Sequence, residues 1–157
     1  MKKNKKYNLT ALILFFIFFF NFAEASSKDS LNFLSLKNSK VNLRLGPSFE
    51  YPIKLTYIKK YLPVIIIDKS ETWRHIKDFE NNSGWIHISQ LSKKKTALNL
   101  KNNAILYKKP TIYSKPLAKL ETGRLVLINK CRLKWCKISS ANHSGWIKKK
   151  FLWGKTN

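Results

Sequence analysis

Four side chains near the middle of the chain have the types and spacing to recognise a ligand: Trp73, His75, Trp85 and His87. If Ile76, Ile86 and Ile88 point inward on two adjacent antiparallel strands, period-2 alternation sends all four to the opposite face. Paired indoles suit stacking on a sugar face or a peptide, with the imidazoles and Arg74 supplying polar contacts. The competing reading is that one or both Trp fold over the open end of a very small domain as core. A metal at His75 and His87 would need a third ligand. Asp78 and Glu80 are close in sequence, but their spacing fits no metal motif, so neither metal nor cofactor is expected.

Catalysis has less to build on. A nucleophilic Cys needs a His partner in space, and His143 is the one His in the half that carries Cys131 and Cys136. Arg132 to Trp135 separate the two Cys, so they can face each other across a tight hairpin. A structural Cys131–Cys136 disulfide is the expectation in an oxidising compartment, with a contribution of about 2 kcal/mol for so short a loop. The carboxylates are scattered, and neither a phosphate-binding Gly loop nor G-x-S-x-G occurs. No enzyme is expected.

The N-terminus reads as a leader. Lys2, Lys3, Lys5 and Lys6 precede the apolar run Leu9 to Phe22, and Ala23-Glu24-Ala25 fits a small-x-small cleavage site. Residues 1–25 are therefore expected to be a signal peptide that directs export to the periplasm or beyond. The chain carries 31 Lys and Arg against 8 Asp and Glu, a formal charge of +23, which becomes +20 without the leader. Clustered cations attract polyanions. Yet only Arg44, Arg74, Arg124 and Arg132 are Arg, the residue suited to bidentate phosphate and base recognition. Export also removes most nucleic acid, so an anionic polymer or membrane surface is the expected polyanion, with no specific nucleic acid.

The elements that hold these residues come twice. Trp73, Ile76, Gly84, Trp85, Ile86 and Leu91 recur as Trp135, Ile138, Gly145, Trp146, Ile147 and Leu152. Upstream punctuation repeats as well, Pro47 and Pro52 matching Pro110 and Pro116. Val41, Leu43 and Leu45 alternate with Asn42 and Arg44 as in a half-buried strand, and Val64 to Ile67 is a β-branched run. Asn81-Asn82-Ser83-Gly84 is expected to turn the chain into the Trp85 strand. Many short strands with close turn signals predict small β-barrels. Ser92 to Lys95 is too short for a free linker, so the two units, 26–92 and 96–157, should touch.

Val41-Asn42-Leu43-Arg44-Leu45-Gly46-Pro47-Ser48 with Tyr51-Pro52 resembles the V-N-V-R-x-G-P-S opening of bacterial SH3-like domains, and Leu62-Pro63-Val64, Trp73-Arg74-His75-Ile76 and Gly84-Trp85-Ile86-His87 continue the match. The second half resembles the degenerate second unit of an exported branch, with Ala104 to Lys108 in place of the Arg-Gly-Pro signature. The resemblance implies an all-β chain of two tandem small SH3-like β-barrels, each five-stranded and strongly bent. It also implies an exported binding or accessory module, often associated with peptidoglycan. Members joined to papain-like wall peptidases carry catalysis in a separate domain, and residues 33 to 154 leave no span for one. The loop Pro47 to Tyr51 resembles the long first loop bordering the ligand groove of this fold; otherwise its aromatics simply cap the barrel.

The candidate ligand-binding residues are thus Arg44, Ser48, Tyr51, Trp73, His75, Trp85 and His87. The expected role is recognition of a cell-wall peptide or glycan through the first unit, the second mainly stabilising. The alternative is docking on an envelope protein through the basic surface.

Overall fold

Short apolar runs separated by turn residues become fourteen strands among the described residues. The computed structural model describes residues 32–156, so the expected leader lies outside it. The first seven strands are β1 Phe33–Leu36, β2 Val41–Arg44, β3 Ile53–Tyr57, β4 Pro63–Ser70, β5 Trp73–Lys77, β6 Ser83–His87 and β7 Leu91–Ser92. The second seven are β8 Thr96–Asn99, β9 Ala104–Tyr107, β10 Pro116–Leu120, β11 Leu125–Arg132, β12 Trp135–Ser140, β13 His143–Lys148 and β14 Leu152–Gly154. One short 3-10 turn precedes β7 (Ile88–Gln90) and another precedes β14 (Lys149–Phe151).

Each set makes one seven-stranded antiparallel sheet, in the order β3-β2-β6-β5-β4-β1-β7 and its copy β10-β9-β13-β12-β11-β8-β14. The sequence repeat is therefore a repeat of topology. The sheets differ from the five-stranded closed barrel implied by the resemblance: the ladder runs from β3 to β7 with no pairing between these edges. The extra strands are β1 and the two-residue β7, which pair with each other and extend the sheet beyond β4. Bending comes from register shifts between Leu43 and Arg44 and between Ile66 and Asp68. A bulge of this kind kinks its strand and increases the local twist.

Period-2 alternation supplies the cores. In the first sheet Leu36, Val41, Leu43, Val64, Ile76 and Ile86 point inward and are fully buried. Leu106, Val126, Ile138 and Ile147 do the same in the second. Each such side chain contributes roughly 1.5–3 kcal/mol by leaving water. The two sheets share packing, as the short joint requires: Leu98 of β8 belongs to the first core, with Leu125 and Trp153 packed against it. Trp153 also meets Phe33 edge to face, ring centres 5.0 Å apart.

Gly84 lies inside β6 rather than in the turn expected for it. A Cβ there would sit 2.6 Å from the Arg44 carbonyl oxygen and 2.8 Å from Leu43 Cγ. Gly145 repeats the constraint at 2.7 Å from the Tyr107 carbonyl oxygen. These glycines let β6 and β13 pass close over β2 and β9. The β5–β6 turn is built instead by Asp78, 4% exposed. Its carboxylate accepts the amides of Glu80 (2.9 Å) and Asn82 (2.8 Å) and the Asn82 side-chain amide (2.9 Å). Asn81 takes the left-handed conformation that Asn tolerates, at φ 68°. In the second sheet Cys131 and Cys136 are paired in register across β11 and β12 and joined by the expected disulfide, Cα atoms 4.0 Å apart.

The fourth partner of Asp78 is the buried Tyr57 hydroxyl, which donates to it at 3.0 Å. Burial, then the adjacent Asp78 carboxylate, pushes the phenol well above its ordinary pKa. Below the ordinary tyrosine value of about 10 both folded and unfolded chains keep this proton. Above it the unfolded chain releases a proton that the folded chain retains, so this contribution to stability falls as pH rises. Tyr57→Phe should cost about 1.5–3 kcal/mol at neutral pH, the worth of a hydrogen bond to a charged group. In urea titrations across pH, the gap between wild type and Tyr57→Phe should narrow above pH ~10; a constant gap would contradict this assignment.

Candidate functional site

The outward faces of β2, β6 and β5 carry the polar half of each alternation, and most of the sequence-predicted residues stand there. Two cross-strand rows form. Arg44 is opposite Trp85, and Trp85 is opposite His75. One step along, Trp73 is opposite His87. The His75 ring stacks on the Trp85 indole, with centres 4.9 Å apart and planes 12° from parallel. Trp73 meets His87 edge to face at 5.3 Å.

Trp73 is covered from outside. Phe49, reaching over from the 46–52 loop, lies edge-on to it at 4.9 Å and tilted against His87 at 5.5 Å. This leaves Trp73 only 7% exposed, whereas Phe49 itself is 65% exposed. Trp85, with no such cover, is half-buried. Each Trp is outward in register, and a loop residue decides which one is buried. The alternation holds at Ile76 and Ile86 but fails at Ile88, which the 3-10 turn leaves exposed.

Phe49, Trp73 and His87 enclose a cleft of ≈240 Å³, closed on the polar side by Lys40, Asn42, Arg44 and Gln90. The loop that supplies Phe49 is held by Arg44, whose Nη1 donates to the carbonyls of Phe49 at 3.0 Å and Tyr51 at 2.6 Å. The guanidinium also sits 5.7 Å from the Phe49 ring centre, within cation–π range. Ser48 turns the loop, its Oγ accepting the Glu50 amide at 3.1 Å. Tyr51 lies on Gly46, where an added Cβ would be 2.6 Å from its ring. His87 Nδ1 accepts the Ser89 amide at 3.4 Å and lies 2.8 Å from Ser89 Oγ. In the neutral ring Nε2 then carries the hydrogen.

Of the seven candidates, Arg44, Trp73 and His87 are thus brought to one cleft. Ser48 and Tyr51 shape its loop, and His75 with Trp85 forms a neighbouring stack. Among the described residues no three His, Cys, Asp or Glu side chains come together as metal ligands. Lys40, Asn42 and Gln90 were not singled out in the sequence. Lys40 and Asn42 were findable, since they alternate with the inward Val41 and Leu43.

The sequence matches the Bacterial SH3 domain family over residues 37–93 and again over 100–154. The chain belongs to the bacterial SH3 domain family. The first span runs from just after β1 to just past β7, and the second from just after β8 to the end of β14. Among solved structures it is similar to NlpC2 of Trichomonas vaginalis, at 14% identity over 81% of this chain and 49% of that one, TM-score 0.36. NlpC1 of the same organism gives 16% identity over 82% and 47%, TM-score 0.36. An NlpC/P60 family protein of Bacillus cereus gives 14% over 80% and 57%, TM-score 0.34. This chain spans about half the length of those proteins. The curated protein sequences contain no match.

In this bacterial SH3 chain the Arg of the opening signature is therefore a loop clamp. Arg44→Ala should free the Phe49 and Tyr51 carbonyls to water at a cost of about 1 kcal/mol. Amide exchange at residues 48–51 should accelerate while β5 and β6 remain protected. Unchanged exchange in that loop would remove Arg44 from the positioning role.

Proposed function

We propose that this protein is an exported, non-enzymatic accessory module of the bacterial cell envelope, holding a cell-wall peptide or glycan in the first unit's cleft. The observation that carries the reading is the cleft itself: an exposed Phe49 and a His87 ring on a buried Trp73 floor, with Lys40, Asn42, Arg44 and Gln90 along one side. An apolar floor with a few convergent polar groups is how small clefts combine affinity with orientation. Aromatic rings stack on sugar faces and on peptide planes alike, and the polar edge can read hydroxyls or carbonyls. Family membership supports binding over catalysis, and the disulfide is compatible with an oxidising compartment.

A second reading, docking on another envelope protein through the basic surface, is favoured by charge. Residues 96–157 hold fourteen Lys and Arg against the single carboxylate Glu121. The two readings separate in a pull-down on purified peptidoglycan at rising salt. Cleft recognition predicts retention through roughly 0.5 M salt, where exposed charges are well screened. It also predicts a loss of about thirtyfold in Phe49→Ala, a hot-spot-sized effect. Phe49 is a better probe than Trp73, because Phe49 is exposed whereas Trp73 is buried beneath it. Wild-type binding lost at moderate salt, or unaffected by Phe49→Ala, would favour charge docking. No retention even at low salt would exclude the wall as ligand.

A further inference from the structure

The second unit carries the same outer face with its chemistry altered. A groove of ≈770 Å³ lies between the 108–115 loop, the β11–β12 turn and the start of the second 3-10 turn. Ile112, Leu133 and Trp135 wall it, Lys134, Lys148 and Lys150 stand around it, and no carboxylate lines it. Register gives the counterparts. Tyr107 replaces Arg44, since Trp146 faces it as Trp85 faces Arg44, and Lys148 replaces His87 opposite Trp135. Ile112 holds the place of Phe49 but is itself half-exposed, and Trp135 is less buried than Trp73.

The sharpest change is at the turn before the first Trp. Glu71 and Leu133 occupy the same place, two residues before Trp73 and Trp135, in the same left-handed conformation, φ 45° and 46°. That conformation disfavours a branched apolar residue. Leu133 is nevertheless 96% exposed at the tip of the β11–β12 hairpin, flanked by Arg132 and Lys134. The Cys131–Cys136 disulfide closes the hairpin just below it. Tyr113, next to Ile112 in the opposing loop, is 92% exposed. Two apolar tips therefore stand clear of the surface, with cations around them.

We propose that this face docks the second unit on an anionic membrane surface. Leu133 and Tyr113 would enter the headgroup region while Arg132, Lys134, Lys148 and Lys150 face the lipid phosphates. Protruding apolar side chains ringed by Lys and Arg are the composition of an interfacial anchor. Each cation near such a surface strengthens binding about fivefold. A protein partner would need pockets shaped for both tips, whereas a lipid interface accepts them without matching. A second copy of this chain is disfavoured by like charge, fourteen cations against one carboxylate over 96–157. The proposal is independent of the first unit's cleft.

The test is co-sedimentation of the exported protein with vesicles of phosphatidylcholine alone or mixed with phosphatidylglycerol. Wild type should partition several-fold better onto the anionic vesicles. Leu133→Asn suits the left-handed position and should leave the melting temperature unchanged. It should weaken partitioning roughly ten- to hundredfold, the scale of one leucine side chain withdrawn from lipid. Both proteins carry the same N-terminus, so their difference isolates the hairpin. Leu133→Trp should bind at least as well as wild type. No preference for anionic vesicles would overturn the proposal. So would Leu133→Asn binding as wild type does, which would mean charge attraction alone or a protein partner.

Discussion

The close passage of β6 over β2 at Gly84, repeated by β13 over β9 at Gly145, is the contact on which the rest depends. With a Cβ 2.6 Å from the Arg44 carbonyl oxygen, any other residue would push the strands apart. The following residues then have no freedom of face. Ile86 and Ile147 go into the cores, and Trp85 and Trp146 go out beside Arg44 and Tyr107. The Gly-Trp-Ile triplet is thus one steric statement about strand crossing. The aromatic face is its consequence, because the outward Trp must lie where β2 brings its own outward side chains.

That logic explains which features were legible in the sequence. The repeat, the inward Ile residues, the Cys131–Cys136 pairing and the outward rows at Trp73/His87 and His75/Trp85 all follow from period-2 alternation and short-range spacing. Other features depend on contacts that alternation does not report. Asn81-Asn82-Ser83-Gly84 has turn composition, which points to a turn at Gly84. The turn is in fact organised by the Asp78 carboxylate, and Gly84 is required by β2, far away in sequence. The seven-stranded open sheets arise from pairing between β1 and β7, which only the completed fold brings together. Burial of Trp73 rather than Trp85 was set by Phe49, held in place through Arg44.

One topology therefore carries two faces of different chemistry. In the first unit a clamped loop closes an aromatic and imidazole cleft. In the second, Tyr107 stands where the clamp would be, lysine stands where histidine would be, and Leu133 projects where the first unit has Glu71. The second unit holds the disulfide and shares packing with the first through Leu98 and Trp153, and its groove is larger than the first unit's cleft.

Occupation of the Phe49–Trp73–His87 cleft by a ligand can be read directly by nuclear magnetic resonance. Isotope-labelled protein would be titrated with soluble muropeptides at high salt. Binding in the cleft should give saturable shifts at the Trp73 indole N–H, the His87 ring and the backbone amides of Asn42 and Phe49, with little change in the second unit. Shifts absent from the cleft, or confined to the lysine-rich residues of the second unit, would contradict it.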